Sequence, residues 1–578
     1  MSNSAFLSEF PPIRTDEWEK AIRESVSGPE YPAKLIWHPE EGLAVKPYYR
    51  AEDIAGLPFA AHLESLYARG LRATADWRIR ERVDMADPEQ ANRTACETAE
   101  AGADEIAFVH PAIETCSDVA LLLANLKASV HFVGLGRPAV QTTLQRLQKS
   151  PHPESISFDL DPLDDLNFTA EMLNAALPAS RIFEIDATSF HESGAGTIEE
   201  VAFAIACSAD FLAQMQERNI SIDRTAQSIG FSFAMGPEFY LQIAKLRAFR
   251  MLWSKVLEAF GGDPAADKLM VHARTANWNK TAYDSHVNIL RATTETISAV
   301  LGGADSISVT AFDDCYRQPD DNSRRLARNT QLILKHEAHL ARVVDPTGGS
   351  YLIEAITNSI ASKAWKLFQE LEDCGGFQKA REAGIVSSVL KRRECLRQQA
   401  VNHRQLVLTG TNRYPDCSDR ASERVDLVRL RISKHASIEF ENLRLRMERA
   451  TLAGIMPRIV LAEIGDSKMR TARSHFVAEF LSCAGLSAST QVFGSSAQIA
   501  RSQADVLVLC SSDPEYSSVV SELMANLTTT GKPRCVLVAG NPVDREQLAA
   551  LGVSDFIHVG SDAVAVLSRL LQQIGIGE

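Results

Sequence analysis

Along most of this 578-residue chain, short apolar runs alternate with longer segments whose apolar positions recur every three to four residues. The short runs are rich in β-branched and aromatic residues, which favours strands, and the longer ones carry the helical period. Between residues 70 and 312 the runs "RATADWRI" (72–79), "DEIAFV" (104–109), "ASVHFVG" (128–134), "SISFDL" (155–160), "RIFEIDA" (181–187), "SIGFSFA" (228–234), "KLMVHART" (268–275) and "SISVTAF" (306–312) predict strands. Stretches such as "PEFYLQIAKLRAFRMLWSKVLEAF" (237–260) read as the helices between them. Eight strand–helix units in sequence predict a closed (β/α) barrel.

The pattern then changes. Residues 320 to 455 are mostly helical and heavily charged, and "DPTGGS" (345–350) reads as a turn in which Gly348 and Gly349 supply unusual backbone angles. From 456 onward the strands "RIVLAEI" (458–464), "ASTQVF" (488–493), "DVLVLCS" (505–511), "RCVLVAG" (534–540) and "DFIHVG" (555–560) alternate with helices. That alternation predicts a five-stranded, doubly wound, flavodoxin-like unit, whose ligand sites lie at the carboxyl ends of its strands. Its first helix is expected to bury Ala472, Phe476, Val477, Phe480 and Leu481. The expected division is an N-terminal arm (1–45), a barrel (46–380), a helical linker (381–455) and the flavodoxin-like domain (456–578). The arm carries Phe6, Leu7, Phe10, Pro11 and Pro12, with Thr15 as the expected N-cap of one short helix.

A net charge of −14 argues against nucleic acid as the main partner but leaves room for a local basic pocket for an anionic substrate. Lys391, Arg392 and Arg393 read as a solvated helix face beside Glu382 and Glu394. No apolar run approaches the ~18 residues of a membrane span. The opening segment also lacks the basic-then-apolar pattern of a secretory signal, so the expected location is the cytoplasm. Ten cysteines are spaced too widely for a CxxC pair, which excludes a locally spaced zinc or iron–sulfur site and favours reduced thiols. His336 and His339 in "HEAHL" stand three apart, whereas a zincin needs four. The acidic segment "ISFDLDPLDDLNF" (156–168) lacks the glycine and terminal glutamate of a calcium loop and reads as solvated.

Four stretches carry a specific resemblance: "KLRAFRMLWSKVLEAFG" (245–261), "HARTANWNKTAYDSHVNILRATTETISAVLGGADSISVTAFDD" (272–314), "LARNTQLIL" (326–334) and "RVVDPTGGSYLIEAIT" (342–357). In these, and in its order of domains, the chain resembles the methylmalonyl-CoA mutase family over nearly its whole length. The resemblance implies a carbon-skeleton rearrangement between methylmalonyl-CoA and succinyl-CoA that uses adenosylcobalamin.

Residue by residue, the resemblance fails where that chemistry resides. Active members carry Asp-x-His-x-x-Gly in the first loop of the C-terminal domain, and its histidine ligates cobalt. The matching positions here are Ser467, Met469 and Ala472. Asp513 and Pro514 stand where a small loop cradling the cofactor tail is expected. In the barrel, "WRIRERV" (77–83) puts Arg82 in the place of a tyrosine that packs against the reacting centre. "ATSFHESGAG" (187–196) puts Ser189 in the place of a histidine that polarises the thioester, with His191 two residues away. The arginine that holds the substrate carboxylate has no equivalent, and Asp159, Asp161, Asp164 and Asp165 occupy that region.

Residues that act as a unit in catalysis do not fail gradually. The losses therefore imply the small, non-catalytic chain of the two-chain bacterial members. Such a chain pairs with a homologous large subunit that holds both adenosylcobalamin and acyl-CoA, and is expected to carry no catalytic residue, cofactor or metal of its own. Two other readings stay open at this point. One is a self-sufficient acyl-CoA mutase that uses Met469 or no protein ligand. The other is a regulatory homologue that binds CoA through "HARTANWN", with His272, Arg274, Asn277 and Trp278.

Overall fold

A computed structural model describes residues 13–25, 35–57, 75–147, 156–175, 181–264, 269–530 and 533–577. The apolar residues of the arm, Phe6 to Pro12, lie outside this set. Eight parallel strands close a barrel: β1 (Arg78–Val83), β2 (Glu105–Val109), β3 (Ser129–Val133), β4 (Ile156–Leu160), β5 (Arg181–Asp186), β6 (Ile229–Met235), β7 (Met270–Thr275) and β8 (Ser306–Ser308). The seam is closed by Arg78 and Ile79 of β1 against Ser306 and Ile307 of β8. No helix among the described residues is long and apolar enough to cross a membrane.

The hydrophobic core of the barrel lies outside its wall. Phe108, Phe132 and Phe158 stack across β2, β3 and β4, at 5.9 and 5.5 Å between successive rings. Phe183 meets Phe211 on helix Thr197–Glu217, and Phe231 meets Phe249 and Trp253 on helix Phe239–Ala259. Each such ring is buried, and each contributes about 1.5–3 kcal/mol by leaving water. The alternate residues of the same strands point to the axis and are mostly polar: Arg80, Glu105, His131, Ser157, Glu184 and His272.

That inversion explains a correction. The first strand is expected at 72–79 but runs from Arg78 to Val83, because its inward residues Arg78, Arg80 and Arg82 make it read as a polar segment. At the other side of the seam, β8 stops at Ser308, well short of the expected residue 312. There Thr310 turns its N–H and hydroxyl onto Thr275 (2.8 and 3.0 Å).

The stretch following β7 does structural work that its family-like spelling does not disclose. Lys280 pairs with Glu295 at 2.7 Å in the buried interior. Ala282 donates its N–H to Glu441, and the Tyr283 hydroxyl donates to Glu448, both at 2.7 Å. Glu441 and Glu448 belong to helix Ile438–Leu452, so buried carboxylates of the linker receive the barrel's top loop. His435 bonds Glu441 as well, at 2.6 Å, and neither is exposed.

Beyond the linker, β9 (Ile459–Glu463), β10 (Ala488–Val492), β11 (Val506–Cys510), β12 (Cys535–Ala539) and β13 (Asp555–Ile557) form a parallel sheet in the order β10-β9-β11-β12-β13. This is the flavodoxin-like order, with its switch point between β9 and β11. Helix Ser467–Ser482 buries Ser474, Val477, Phe480 and Leu481, while Phe476 is half-buried. Ala472 is exposed, contrary to expectation. It stands five residues before Val477, about 140° away around the helix, on the face turned from the sheet.

Smaller features also differ from expectation. The N-terminal helix begins at Thr15 itself, which is therefore not its N-cap. In the 345–350 turn, Asp345 and Gly349 take left-handed backbone angles, and Gly348 does not. Gly348 instead lies where a Cβ would strike the Asp345 carboxylate. His336 closes a π-turn (Ile333–Glu337) and His339 lies outside it, both exposed.

Candidate functional site

Two places could hold a ligand on general grounds: the carboxyl end of the barrel and the switch point of the small sheet. Halfway down the barrel, the inward residues form a hydrogen-bonded belt. Arg80 grips Glu105 with two nitrogens, at 3.0 and 3.3 Å. His131 joins Ser157 (2.9 Å) to Glu184 (3.5 Å), Ser232 bonds Glu184, and His272 bonds Ser306 (2.7 Å).

The charges of the belt are set by the balance between burial and Arg80. Burial alone would raise Glu105, but Arg80 and Arg78 hold it at about 2. Glu184, farther from the guanidinium, is pushed by burial up to about 7. Burial, then Arg80, keeps the His131 and His272 imidazoles well below their ordinary value and hence neutral. Below the belt only about 30 Å³ of space remains. Above it opens a cavity of about 440 Å³.

This upper cavity brings together Arg82 of β1, Arg274 at the end of β7, and Asn277. The other candidates in "HARTANWN" are elsewhere. His272 belongs to the belt, and Trp278 lies beneath the Arg397 guanidinium at 3.7 Å from its ring centre. Ser189, on helix Thr188–Glu192, is exposed and turns its hydroxyl back to the Asp186 carbonyl (2.7 Å). His191, two residues on, is buried, its Nδ1 3.5 Å from Glu200. Burial and the nearby Arg397 hold that imidazole well below its ordinary value. Neither Ser189 nor His191 lines the cavity.

The aspartates of the acidic segment are spent on backbone. Asp159 accepts the Gly134 N–H with both oxygens (3.0 Å), and Asp161 accepts that of Leu163 (2.8 Å). Asp165 accepts those of Asn167 and Phe168 and pairs with Arg137 at 2.7 Å, while Asp164 stands 3.5 Å from the same guanidinium. Among the described residues no group of three or more His, Cys, Asp or Glu is arranged to hold a metal.

At the small sheet, Gly465 (φ +77°) leads into Asp466, which caps the helix by accepting the Met469 N–H at 2.8 Å. Ser467 is the first helical residue, and Met469 is 38% exposed on the first turn. Serine hydroxyl, exposed thioether and alanine methyl offer cobalt no imidazole, so these residues do not fit cobalamin's lower axial position.

The crevice between β9 and β11 is also bridged from within. Glu515 accepts from the Ser511 and Ser512 hydroxyls (2.7 and 2.6 Å), the Ser512 N–H (3.0 Å) and, across the switch point, the Asp466 N–H (3.2 Å). Those donors hold its carboxylate at about 2. A Cβ on Gly465 would lie 2.4 Å from that carboxylate, which is why the close approach needs glycine. Farther along the edge Arg473 reaches Asp513 (2.8 Å) and Tyr516 (3.0 Å), and the Tyr516 hydroxyl is 2.5 Å from the Ala539 carbonyl.

Sequence reasoning singled out Asp513 and Pro514 but missed Glu515, Arg473 and Tyr516, and missed the arginines that complete the barrel cavity. "SSDPE", two serines and a glutamate directly after a strand, holds the capping-box signal by which Glu515 could have been found.

Comparison with known proteins agrees with this architecture. The profile of the family described as methylmalonyl-CoA mutase matches residues 154–477. The methylmalonyl-CoA mutase small subunit of Porphyromonas gingivalis is 33% identical, over 99% of this chain and 98% of that one. That of Streptomyces virginiae is 29% identical with the same coverage of both chains. The methylmalonyl-CoA mutase of Rhizobium meliloti is 29% identical, but over 68% of this chain and 62% of its own length. With its barrel, its family-specific stretches and these relatives, the chain belongs to the methylmalonyl-CoA mutase family.

Proposed function

We propose that this chain is the non-catalytic small subunit of a two-chain, adenosylcobalamin-dependent methylmalonyl-CoA mutase. In this reading a homologous large subunit binds the cofactor and the acyl-CoA, and the present chain stabilises it as a heterodimer in the cytoplasm. The observation that carries the reading is the internal closure of the switch-point crevice by Glu515, in the absence of an imidazole at position 469. The near-complete match to proteins named as small subunits supports it. Arg82 and Ser189 are read as replacements for catalytic groups, so no residue of this chain takes part in the rearrangement.

The test is co-expression with a longer homologue that carries Asp-x-His-x-x-Gly. The isolated chain mixed with adenosylcobalamin is expected to leave the corrin absorbance unchanged and to form no succinyl-CoA from methylmalonyl-CoA. The co-purified pair is expected to shift the corrin absorbance and to form succinyl-CoA. A shifted corrin spectrum or turnover with the isolated chain would overturn the proposal.

A pairing of this kind buries well over ~2,000 Å² with an apolar centre, and the apolar N-terminal arm is assigned to it. Deleting residues 1–40 is therefore expected to weaken the heterodimer. Size-exclusion chromatography should resolve separate chains where the full-length pair elutes as one, and an unchanged elution volume would remove the arm from the interface.

A further inference from the structure

The loop 37–45 ahead of the barrel is fastened by few bonds. Trp37 and Val45 exchange N–H···O=C bonds of 2.9 and 2.8 Å, and Leu43 and Val45 are buried in the barrel's core. Lys363 closes the turn by donating to the Glu41 and Gly42 carbonyls (3.2 and 2.9 Å).

Two glutamates at this junction lack a counter-ion. Glu199 pairs with Arg393 (2.7 Å), Glu200 pairs with Lys245, and Glu40 is exposed. Glu41 is buried. Its Oε1 meets the Thr197 N–H at 3.5 Å, and its Oε2 has no hydrogen-bond partner. Glu238, at the start of helix Phe239–Ala259, forms no ion pair among the described residues and caps no N–H. The nearby guanidinium of Arg397 is spent on the His191 and Ala195 carbonyls (3.5 and 3.3 Å) and on the Trp278 ring.

A short chain of side chains joins the two carboxyls. The Thr197 hydroxyl accepts from Gln242 Nε2 at 3.5 Å. A Cβ on Gly236 would stand 3.4 Å from Glu238 Oε2 and 3.5 Å from both Gln242 Nε2 and His191 Cε1, so these side chains meet where the glycine leaves room. Along this chain Glu41 Oε2, Gln242 Oε1 and Glu200 Oε1 are buried acceptors without a donor. Such an excess of acceptors is relieved when one carboxyl keeps its proton and becomes a donor.

We propose that Glu41 and Glu238 hold a single proton between them, and that this proton latches the 37–45 loop onto the carboxyl end of the barrel. With the proton in place, the pair carries one negative charge and gains one O–H donor. Without it, two like charges face each other with no cation bound to either, and the loop opens to hydrate them. Burial, and then the Glu41 charge, push Glu238 up to about 7 against the pull of Arg397. In the open loop the carboxyl returns to its ordinary 4.5, so the latch is present at low pH and is lost as pH rises through 7. The latch is independent of whether the chain has a catalytic partner.

The test is hydrogen–deuterium exchange of the full chain by mass spectrometry at pH 6 and pH 8, corrected for intrinsic exchange. Protection of the peptide spanning 37–45 is expected to fall about tenfold between the two, the factor that one proton moving between these values gives. Glu238→Gln and Glu41→Gln each replace the shared proton with a permanent amide donor and are expected to remove that fall. Glu184→Gln, which alters only the belt, should leave it in place. A fall below about threefold in the parent chain, an equal fall in peptides from the barrel strands, or a fall that persists in both glutamine variants would each overturn the proposal.

Discussion

Truncating Lys245 to alanine is expected to lower the free energy of barrel unfolding by about 3–5 kcal/mol, the range for removing one partner of a buried ion pair. Lys245 lies in the middle of helix Phe239–Ala259, fully buried, and its ammonium bonds both Glu200 on helix Thr197–Glu217 and the Ala234 carbonyl of β6. One side chain thus ties two helices to a strand. Burial pushes Glu200 up to about 7 even with Lys245 beside it, so removing the cation leaves a buried carboxyl without its nearest counter-charge. The double change Lys245→Met with Glu200→Gln keeps the volume and removes both charges, and is expected to recover most of the loss. Urea unfolding followed by circular dichroism measures both. A loss below about 1 kcal/mol for Lys245→Ala would show that the pair does not hold these elements together.

A second large effect concerns pH and the belt. Glu184 has its folded value at about 7 against an ordinary 4.5. Between these values the folded chain keeps a proton that the unfolded chain has released, so stability falls as pH rises through the window. One unit is about 1.4 kcal/mol, so the full contribution is about 3 kcal/mol. It is present below pH 4.5 and lost as pH passes 7. Glu105 acts with the opposite sign in a separate window: its stabilisation is present above 4.5 and lost as pH falls toward about 2. The neutral buried histidines His131, His191 and His272 also disfavour low pH, because the unfolded chain protonates them first.

The decisive quantity is therefore a difference rather than the whole profile. Glu184→Gln preserves the shape of a protonated carboxyl and its hydrogen bond with Ser232. The variant is expected to match the parent near pH 4.5 and to exceed it by about 3 kcal/mol above pH 7.5. A constant offset across that range would mean that Glu184 titrates at an ordinary value inside the barrel.

The two domains differ in how much their strands disclosed. In the small sheet both faces of β9, β11 and β12 are buried, so each reads as a continuous apolar run, and all five strands lie within the predicted segments. In the barrel one side of each strand faces a polar axis. β2 to β7 remain visible through their outward phenylalanines, isoleucines and valines, whereas β1 carries three inward arginines and is displaced by six residues from its expected start.

The candidate site divides in the same way. Positions 467, 469 and 472 were singled out by the resemblance to the family's motif, aligned on the strand before them, because matching residue types along the chain needs no knowledge of what lies across from them. That Glu515 reaches over to the Asp466 N–H, 49 positions away in the chain, depends on β9 and β11 being neighbours in the sheet.

By itself, the amino-acid order determined the two α/β units and their sequence along the chain. These rest on local periodicity and residue type, which survive without knowledge of contacts. Only the tertiary structure decided that six arginines from four separate segments share one cavity, and that a belt of charges fills the axis below it. Burial and electrostatic pairing arise from proximity in space, and the closure of a barrel brings together groups that no reading of neighbours along the chain would join.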